Sequence, residues 1–547
     1  MSASSKKKLR AEENASKLTE KQTAQQKEAK KLKIYTVAFV VLIAAMVITA
    51  LAIGITRAVT NSGVQQKNTT ALTVGDHQLN SVEMNYFYMD AVNHFIEQYG
   101  AYAQIFGLDT SKPLDQQVTD EETGATWADD FLHTAQDNAR ATYALADEAE
   151  KAGFTLSQEE LDNIDLSGKN LDSYAKLYGY SKTDDYIRAM YGNGSTKESY
   201  LEYCTRNALA SAYYNEYAES LGYTDEQIAA KDEEDGAAYN AYSYHQYSLY
   251  TSRFLEGGTT GEDGSTTYSQ EEKDAAQKKA EEAAKSLLAG EISSVEDFDA
   301  AIAALPVNAE SDPAPTSTAY TDQLGSKLNT TIADWIKDPA RKEGDTTYIP
   351  NTSTTTAEDG TEVTTVSSYY VLYFDGSADN RLPLKNVRHI LVSFEGGTTE
   401  NGVTTYSDEE KAAAKEKAEE IYAQWQSGDA SEDSFAALAG EKTTDPGSKD
   451  NGGLYENVYP GQMVTAFNDW CFDSSRKPGD TGIVETDYGY HIMYFSGDAD
   501  ITYRDYMITE DLRSAEVTDW YDALLEAMTV TEGSAKYIRK DLVLGSH

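Results

Sequence analysis

The sequence has 547 residues, too many for one hydrophobic core, so we expect three or four domains. Its net charge of −45 excludes the basic surface that nucleic-acid binding needs; an acidic surface suits basic or neutral polypeptides, although plain solubility explains it equally well. Two cysteines, Cys204 and Cys471, are too few and too far apart for a disulfide framework or a zinc site, and we expect both to be core residues.

The N-terminal part of the chain has the pattern of a membrane anchor. Residues 1–33 carry ten Lys or Arg against four Glu, and residues 34–56 carry no charge. A helix of that length crosses about 30 Å of hydrocarbon. Because the positive charge lies on the N-terminal side, we expect a single-pass helix with residues 1–33 in the cytoplasm and the bulk of the chain outside the membrane. The alternative is a cleaved signal peptide, whose apolar region is usually about 7–15 residues long.

A polar linker is predicted over 57–71 and a mostly helical, chaperone-like module over 72–236. The segment "TVGDHQLN" predicts a short strand and turn at the start of this module, ahead of a long amphipathic helix. Further helical stretches are predicted around 127–152, 157–163, 170–190 and 197–221.

An internal repeat organises the second half of the chain. Four blocks of the first copy recur in the same order in the second copy: "FLEGGTT" as "FEGGTT", "YSQEEKDAAQKKAEEAAK" as "YSDEEKAAAKEKAEEIYA", "WIKDPARKEGDT" as "WCFDSSRKPGDT" and "YYVLYFDGSAD" as "YHIMYFSGDAD". We therefore expect two tandem domains, 237–380 and 381–500, each reading strand, acidic loop, helix, helix, loop, strand. A C-terminal helical segment follows over 501–547, with one helical run near 508–527, and the fold class is α+β.

The first helix of each copy carries a capping box. Ser407 with Glu410, and Ser269 with Glu272, place a hydroxyl and a carboxylate at the helix start, where both satisfy free backbone N–H groups. The second-copy helix has one apolar face, made of Ala414, Ala418, Ile421, Tyr422 and Trp425.

Three segments of the second copy carry its functional signal: the strand "VRHILVSF" (387–394), "GQMVTAF" (461–467) and "GYHIMYF" (489–495). Their order, spacing and content, over about 110 residues, resemble a parvulin-type peptidyl-prolyl cis/trans isomerase domain. With the anchor, the helical module and the C-terminal helix, the whole chain resembles the membrane-anchored extracytoplasmic foldase and SurA-like chaperone family.

The resemblance implies a catalytic group and a proline pocket. His389 and His491 correspond to a pair of histidines that face each other beneath the active cleft, and Asp445 to an acidic residue near the rotating bond. The implied substrate-binding residues are Leu454, Gln462, Met463, Phe467 and Tyr488. Two features depart from the family pattern: Tyr488 replaces a small hydroxyl residue, and the turn before Met463 is one residue longer.

Each of these residues also has a purely structural interpretation. The histidine pair can hold the sheet together rather than act on substrate, and Met463 and Phe467, at i and i+4, can be core residues. Rotation about an X–Pro bond faces a barrier of about 18–20 kcal/mol and forms no bond to the enzyme. We therefore expect no metal and no cofactor.

The first copy is predicted to be a degenerate parvulin-like domain. Alignment of the repeat blocks places Tyr250 opposite His389 and Tyr370 opposite His491, while His245 lies five residues out of register. We expect this copy to serve in binding or spacing rather than in catalysis.

Two main functions remain open on these grounds. The first is an isomerase that speeds the folding of unfolded or newly exported, proline-containing polypeptides. The second is a non-catalytic holdase chaperone whose parvulin-like domains bind clients, and a weaker third is a structural protein of the cell envelope. The site residues retained in the second copy favour the isomerase. Their loss in the first copy shows that the domain can exist without them, which leaves the holdase open. The oligomeric state is not predicted.

Overall fold

The computed structural model describes residues 7, 27, 41–43, 45–56, 59–261, 264–305, 315–356, 362–400 and 403–544. An apolar helix over Val41–Lys67 is long and apolar enough to cross a membrane, judged by length and composition. A turn at Gly63, with φ of +65°, interrupts it. The first seven residues of the predicted anchor, 34–40, lie outside the described residues. The structure differs from the predicted linker, because Val64–Lys67 are helical and the first strand already begins at Thr70.

Beyond this apolar helix, thirteen helices and eleven main strands follow in the described part of the chain. The helices are α1 Ser81–Tyr99, α2 Trp127–Ala152, α3 Gln158–Leu177, α4 Thr183–Tyr191, α5 Lys197–Ser220, α6 Asp225–Asp235, α7 Gln270–Leu287, α8 Val295–Ala303, α9 Thr330–Ile336, α10 Asp408–Gln426, α11 Glu432–Lys442, α12 Thr465–Phe472 and α13 Tyr503–Ala527. The strands are β1 Thr70–Val74, β2 His77–Asn80, β3 Ala241–Tyr250, β4 Thr318–Leu324, β5 Thr346–Thr356, β6 Glu362–Ala378, β7 Pro383–Ser393, β8 Leu454–Val458, β9 Thr481–Thr486, β10 Gly489–Thr502 and β11 Val530–Glu532. Two short hairpins join Thr259–Thr260 to Thr266–Thr267 and Thr398–Glu400 to Val403–Thr405.

The chain forms two compact units, Met1–Leu221 with Ala515–His547, and Gly222–Ser514. In the first unit, helices pack on a three-stranded antiparallel sheet of order β11-β1-β2. The predicted strand and turn are confirmed, with Gly75 at φ +54° between β1 and β2. The end of the chain completes this unit, because β11 pairs with β1 and Ile538 and Leu542 are buried in its core.

The structure corrects one helix boundary in the first unit. Instead of separate helices over 157–163 and 170–190, α3 runs unbroken over Gln158–Leu177 and α4 follows. Gly168 lies inside α3 because the helix packs closely on α5: a Cβ at this position would lie 3.2 Å from Leu201 Cδ1. Gly179, at φ +80°, ends α3, and the N–H of Tyr180 bonds back to the carbonyl of Ala175 at 2.8 Å.

The second unit contains two four-stranded antiparallel sheets of corresponding order, β4-β3-β6-β5 and β8-β7-β10-β9. Because side chains alternate along a strand, each sheet has two apolar faces. Helices α7 and α8 cover one face of the first sheet and α9 covers the other. In the second sheet, α10 and α11 cover one face and α12 covers the other. The fold is thus a mixture of α and β structure, with many helices.

Both predicted capping boxes are present, at the starts of α7 and α10. Each capping glutamate also accepts a bond from the neighbouring hairpin: Glu272 from the N–H of Gly258 at 2.9 Å, and Glu410 from the N–H of Gly397 at 2.8 Å. One carboxylate in each repeat therefore joins a helix start to a hairpin.

A buried arginine holds the segments around the two sheets of the second unit together. Arg504, at the start of α13, is 5% exposed. Its guanidinium donates to Asp232 in α6 at 2.6 Å, to the Asn240 side chain at 2.7 Å, and to the carbonyls of Gly236 and Asp379 at 2.7 and 3.0 Å. These bonds join α6, the approach to β3, the end of β6 and the start of α13.

Candidate active site

Because side chains alternate along β7 and β10, the residues of the site and those of the core lie on opposite faces of the sheet. Ile390 and Ile492 point into the core formed with α10 and α11. Their neighbours His389 and His491 therefore point to the opposite face, the one that α12 covers. Both imidazoles are buried, and His389 is only 2% exposed. The sequence thus places two titratable rings inside an otherwise apolar face.

A chain of hydrogen bonds crosses this face. His389 Nδ1 lies 3.0 Å from His491 Nδ1, and His389 Nε2 lies 2.9 Å from Asp445 Oδ2. At the far end, His491 Nε2 lies 2.9 Å from the hydroxyl of Thr486. The structure therefore brings His389, Asp445 and His491, the three predicted catalytic residues, into one connected group.

Asp445 accepts more hydrogen bonds than His389 alone provides. The hydroxyls of Ser448 and Tyr455 donate to its Oδ2 atom at 2.5 and 2.9 Å, and the N–H of Gly447 donates to Oδ1 at 3.1 Å. Burial alone would raise the pKa of Asp445, but the bonds from Ser448, Tyr455 and His389 outweigh it and lower the pKa to about 2. Asp445 is therefore ionised at neutral pH.

Both histidines are neutral at the same pH. Burial lowers the pKa of His389, although Asp445 opposes this shift. Burial, followed by the repulsion that a protonated His389 would exert, lowers the pKa of His491 to about 3. With neutral rings and an ionised Asp445, one proton arrangement gives every link a donor and an acceptor. Thr486 donates to His491 Nε2, His491 Nδ1–H donates to His389 Nδ1, and His389 Nε2–H donates to Asp445.

The loop after α11 places Asp445 beside His389. The hydroxyl of Thr443 accepts the N–H groups of both Leu391 and Asp445, at 3.0 and 3.2 Å, which holds the loop against β7. On the other side, the N–H of His389 donates to the carbonyl of Gly453 at 2.8 Å. A Cβ on Gly453 would lie 2.2 Å from the carbonyl oxygen of His389, so only glycine permits this approach.

The apolar part of the site lies on α12 and in the turn just before it. Phe467 is 2% exposed and meets both imidazoles edge-on, with ring centroids 5.5 Å from His389 and 5.4 Å from His491. Met463 is half-buried in the same cluster. Cys471 is buried there too, and burial raises its pKa to about 12, so it stays a thiol of the core. Phe467 thus contacts both histidines, and Met463 packs against the same apolar cluster as Phe467.

Three predicted pocket residues are placed differently. Leu454 opens β8, but it is the next residue, Tyr455, whose ring stacks on His389, because successive strand residues point to opposite faces. The exposed Gln462 uses its side-chain oxygen to accept the N–H of Tyr459 at 3.1 Å, which closes its own turn. Tyr488 is 63% exposed in the turn between β9 and β10.

An open cavity of about 510 Å³ lies beside the buried group formed by His389, His491 and Asp445. It is lined by Lys411, Val464, Thr465, Ala466, Glu485, Thr486 and Asp487. Thr486 belongs to both the cavity wall and the hydrogen-bond chain, so the cavity adjoins the His491 end of that chain. In the part of the chain that the structure describes, no group of three or more His, Cys, Asp or Glu residues is arranged to hold a metal ion.

The corresponding face of the first sheet has different chemistry. Gln246 lies opposite Leu372 in the strand pairing, as His389 lies opposite Met493. Tyr250, which sequence alignment sets opposite His389, is therefore four residues too far along. Tyr370 does lie where His491 lies in the second sheet, since it pairs with Ser248 as His491 pairs with Leu391.

Sequence comparison places the buried group in a known domain family. Residues 379–498 match the family model of the PPIC-type PPIASE domain. Foldase protein PrsA 2 of Listeria monocytogenes is 30% identical over 129 residues, which cover 24% of this chain and 40% of that protein. Foldase protein PrsA of Caldanaerobacter subterraneus is 32% identical over 126 residues, 22% of this chain and 39% of that protein. The chain thus spans about two fifths of the length of these curated relatives.

Among solved structures, a peptidylprolyl isomerase, PrsA, from Bacillus cereus is similar. It is 27% identical, over 27% of this chain and 49% of that chain, with a TM-score of 0.18. The family match and the two curated relatives identify residues 379–498 as a PPIC-type, parvulin peptidyl-prolyl isomerase domain, homologous to the corresponding part of the PrsA foldases.

Proposed function

We propose that this chain, through its PPIC-type domain at 379–498, is a membrane-anchored, extracytoplasmic folding factor that catalyses cis/trans isomerisation of X–Pro bonds in exported proteins. The observation that carries the proposal is the buried His389–His491 pair, linked to Asp445 and covered by Phe467, inside the matched segment. The two curated relatives, both named foldases, support a role in protein folding. Its partners would be unfolded or newly exported polypeptides that contain proline.

The chemistry needs no covalent step. The barrier of about 18–20 kcal/mol to rotation reflects the resonance that a planar amide loses when it twists. A site lowers this barrier if it binds the twisted amide more tightly than either planar form. An apolar wall that holds the proline ring, next to fixed charges and donors that act on the amide, meets this requirement.

The roles of the residues follow from their surroundings. Phe467 and Met463 provide the apolar wall for the proline ring, and Leu454, Gln462 and Tyr488 contribute at the margin. Asp445, with a pKa of about 2 and four hydrogen-bond donors, is a fixed negative charge rather than a base that collects protons. His389 and His491, both neutral, hold Asp445 and the apolar wall in fixed positions relative to each other.

The remaining segments support the catalytic domain. The domain at 237–380 is a degenerate parvulin-like copy: its sheet has the corresponding strand order, but Gln246 and Tyr370 stand where the second sheet has histidines. The helical segment 72–236 acts with 501–547 as a chaperone-like module. Residues 1–33 form a cytoplasmic tail, 34–56 cross the bilayer once, and 57–71 lead outward.

The test of the activity uses the full chain in detergent micelles. A fluorescent X–Pro peptide, released from a solvent in which the cis form is enriched, reports the rate of isomerisation. We expect saturable acceleration that drops at least tenfold in Asp445→Asn and is unchanged in Asp433→Asn, which removes an exposed carboxylate from the first turn of α11. A wild-type protein that suppresses client aggregation but leaves the isomerisation rate at its uncatalysed value would establish the holdase alternative instead.

Protease protection tests the topology. Protease added to intact cells should remove the chain beyond the apolar helix and leave residues 1–33 attached to it, because lysines crowd the N-terminal side of the anchor. Resistance of the whole chain, with digestion only after the membrane is opened, would place the bulk of the protein in the cytoplasm.

A further inference from the structure

Tyr455 contacts both polar groups of the site from a strand outside the histidine pair. Its ring stacks on His389, with centroids 5.1 Å apart and planes 25° apart, and its hydroxyl donates to Asp445. We propose that Tyr455 is a positioning residue for X–Pro isomerisation, which fixes the Asp445 carboxylate and the His389 ring in one arrangement. This inference rests on the proposed function.

The convergence of donors on one oxygen atom fixes how the carboxylate is turned. His389, Ser448 and Tyr455 all address Oδ2 of Asp445, at 2.9, 2.5 and 2.9 Å. The other oxygen, Oδ1, accepts the N–H of Gly447, within the same loop. Oδ1 therefore keeps free lone pairs, and its direction depends on the three bonds at Oδ2. Of these three donors, Tyr455 is the one on β8.

Backbone pairing between β8 and β7 holds Tyr455 in place. Tyr455 pairs with Val387 in β7, two residues before His389, and its ring centroid lies 6.4 Å from that of Phe467. Burial, followed by the bond to Asp445, raises the pKa of Tyr455 to about 12, so its hydroxyl stays protonated at neutral and acidic pH and can donate there. The residue thus connects the apolar wall, the histidine pair and the carboxylate.

This role has a pH signature that simple packing lacks. The ionisable groups that contact Asp445 are His389 on β7 and Tyr455 on β8, with His491 on β10 behind His389. Removing the Tyr455 hydroxyl leaves the carboxylate with one donor fewer, and the charged form is then less favoured. Asp445 takes up a proton at a higher pH, and activity that depends on its charge is lost at a higher pH.

The experiment measures kcat and KM of the full chain in detergent micelles from pH 2 to pH 7, with the fluorescent X–Pro peptide. In Tyr455→Phe, which keeps the stacked ring, we expect kcat at pH 7 to fall on the order of tenfold with KM within about twofold. We also expect the acidic limb of the profile to move to higher pH. Tyr239→Phe is the matched control, since it removes a hydroxyl that donates to Asp511 at 2.7 Å outside the matched domain.

Each outcome decides between the two claims. A wild-type profile in Tyr455→Phe, with normal wild-type activity, would overturn the inference and leave the proposed function standing. A wild type without turnover would overturn both. If Tyr455→Phe does not fold, Ser448→Ala removes another donor to Oδ2 and must move the acidic limb in the same direction; an unmoved limb would refute the role of these donors.

Discussion

The Nδ1 atoms of His389 and His491 lie 3.0 Å apart, so one of these nitrogens carries a proton and the other accepts it. A proton added to the accepting nitrogen would set two donors against each other in a buried space. The pair is therefore compatible with the folded domain only while both rings are neutral, which makes the domain sensitive to acid.

We expect the stability of the 379–498 domain to fall as pH drops below about 6.5. The folded-state pKa of His491, about 3, is below its ordinary value of 6.5, so the unfolded chain binds this proton more readily. Each such group removes about 1.4 kcal/mol per pH unit until the folded pKa is reached. Asp445, with a pKa of about 2 against an ordinary 3.8, adds a loss only below about pH 4.

Hydrogen exchange of the full chain, followed in peptides from β7 and β10, measures this dependence. His491→Gln should flatten the slope of protection between pH 6.5 and 5. His133→Gln, at an exposed position in α2, should leave it unchanged. Equal slopes in wild type and His491→Gln would contradict the neutral pair.

Phe467→Leu tests whether Phe467 forms the wall that binds the proline ring or only packs in the core. Shortening the Phe467 side chain should cost about 1–2 kcal/mol of stability and slow isomerisation about 10–200-fold, because the surface that orients proline is lost. Phe435→Leu is the matched control: Phe435 is equally buried but lies on the α10 and α11 side of the sheet. Chemical denaturation and turnover are measured on both. Equal loss of turnover in the two variants would place the wall elsewhere.

A double substitution tests whether the first sheet has any activity of its own. His389→Gln with His491→Tyr gives the second sheet the residues that the first sheet carries, Gln246 and Tyr370. We expect full-length turnover to fall to the uncatalysed rate, while Gln246→Ala with Tyr370→Phe changes nothing. Circular dichroism of both variants establishes that they fold. Turnover above half of the wild-type value in the first variant would show that the histidines are dispensable or that the first sheet is active.

Arg504→Ala should destabilise the second unit strongly. It leaves the half-buried carboxylate of Asp232 without its buried partner, and such losses cost about 3–5 kcal/mol. Arg381→Ala removes a second arginine from the same carboxylate, but Arg381 is half exposed and should contribute only about 0–1 kcal/mol. Calorimetry of both variants gives the comparison. A small effect of Arg504→Ala would mean that the segments it joins are held by other contacts.

Local signals in the sequence predicted local structure well. The boundaries of α2, the capping residue Ser407 and the buried face of α10 that includes Ala418 all depend on residues close together in the chain, and all are confirmed. The grouping of His389 with His491 followed from a family resemblance, which carries spatial information that spacing alone lacks.

Contacts between distant loops were not predictable. Ser448 lies in the loop after α11, Tyr455 on β8 and Thr486 at the end of β9. Their bonds to the site form only once these segments meet, and no sequence period marks them. The expected equivalence of Tyr250 and His389 is wrong because four residues, Thr251–Phe254, form an extra turn between β3 and its hairpin. An alignment of the two hairpins is therefore displaced by four residues along β3. Sequence similarity points to Leu454, whereas the alternation of side chains along β8 turns its neighbour Tyr455 toward His389.

The shared carboxylates at the starts of α7 and α10 have a mechanical consequence. Glu272 and Glu410 each hold a helix terminus with one oxygen and a hairpin glycine with the other. Each hairpin can therefore move away from the first turn of its helix only if the bond between its glycine N–H and this carboxylate breaks.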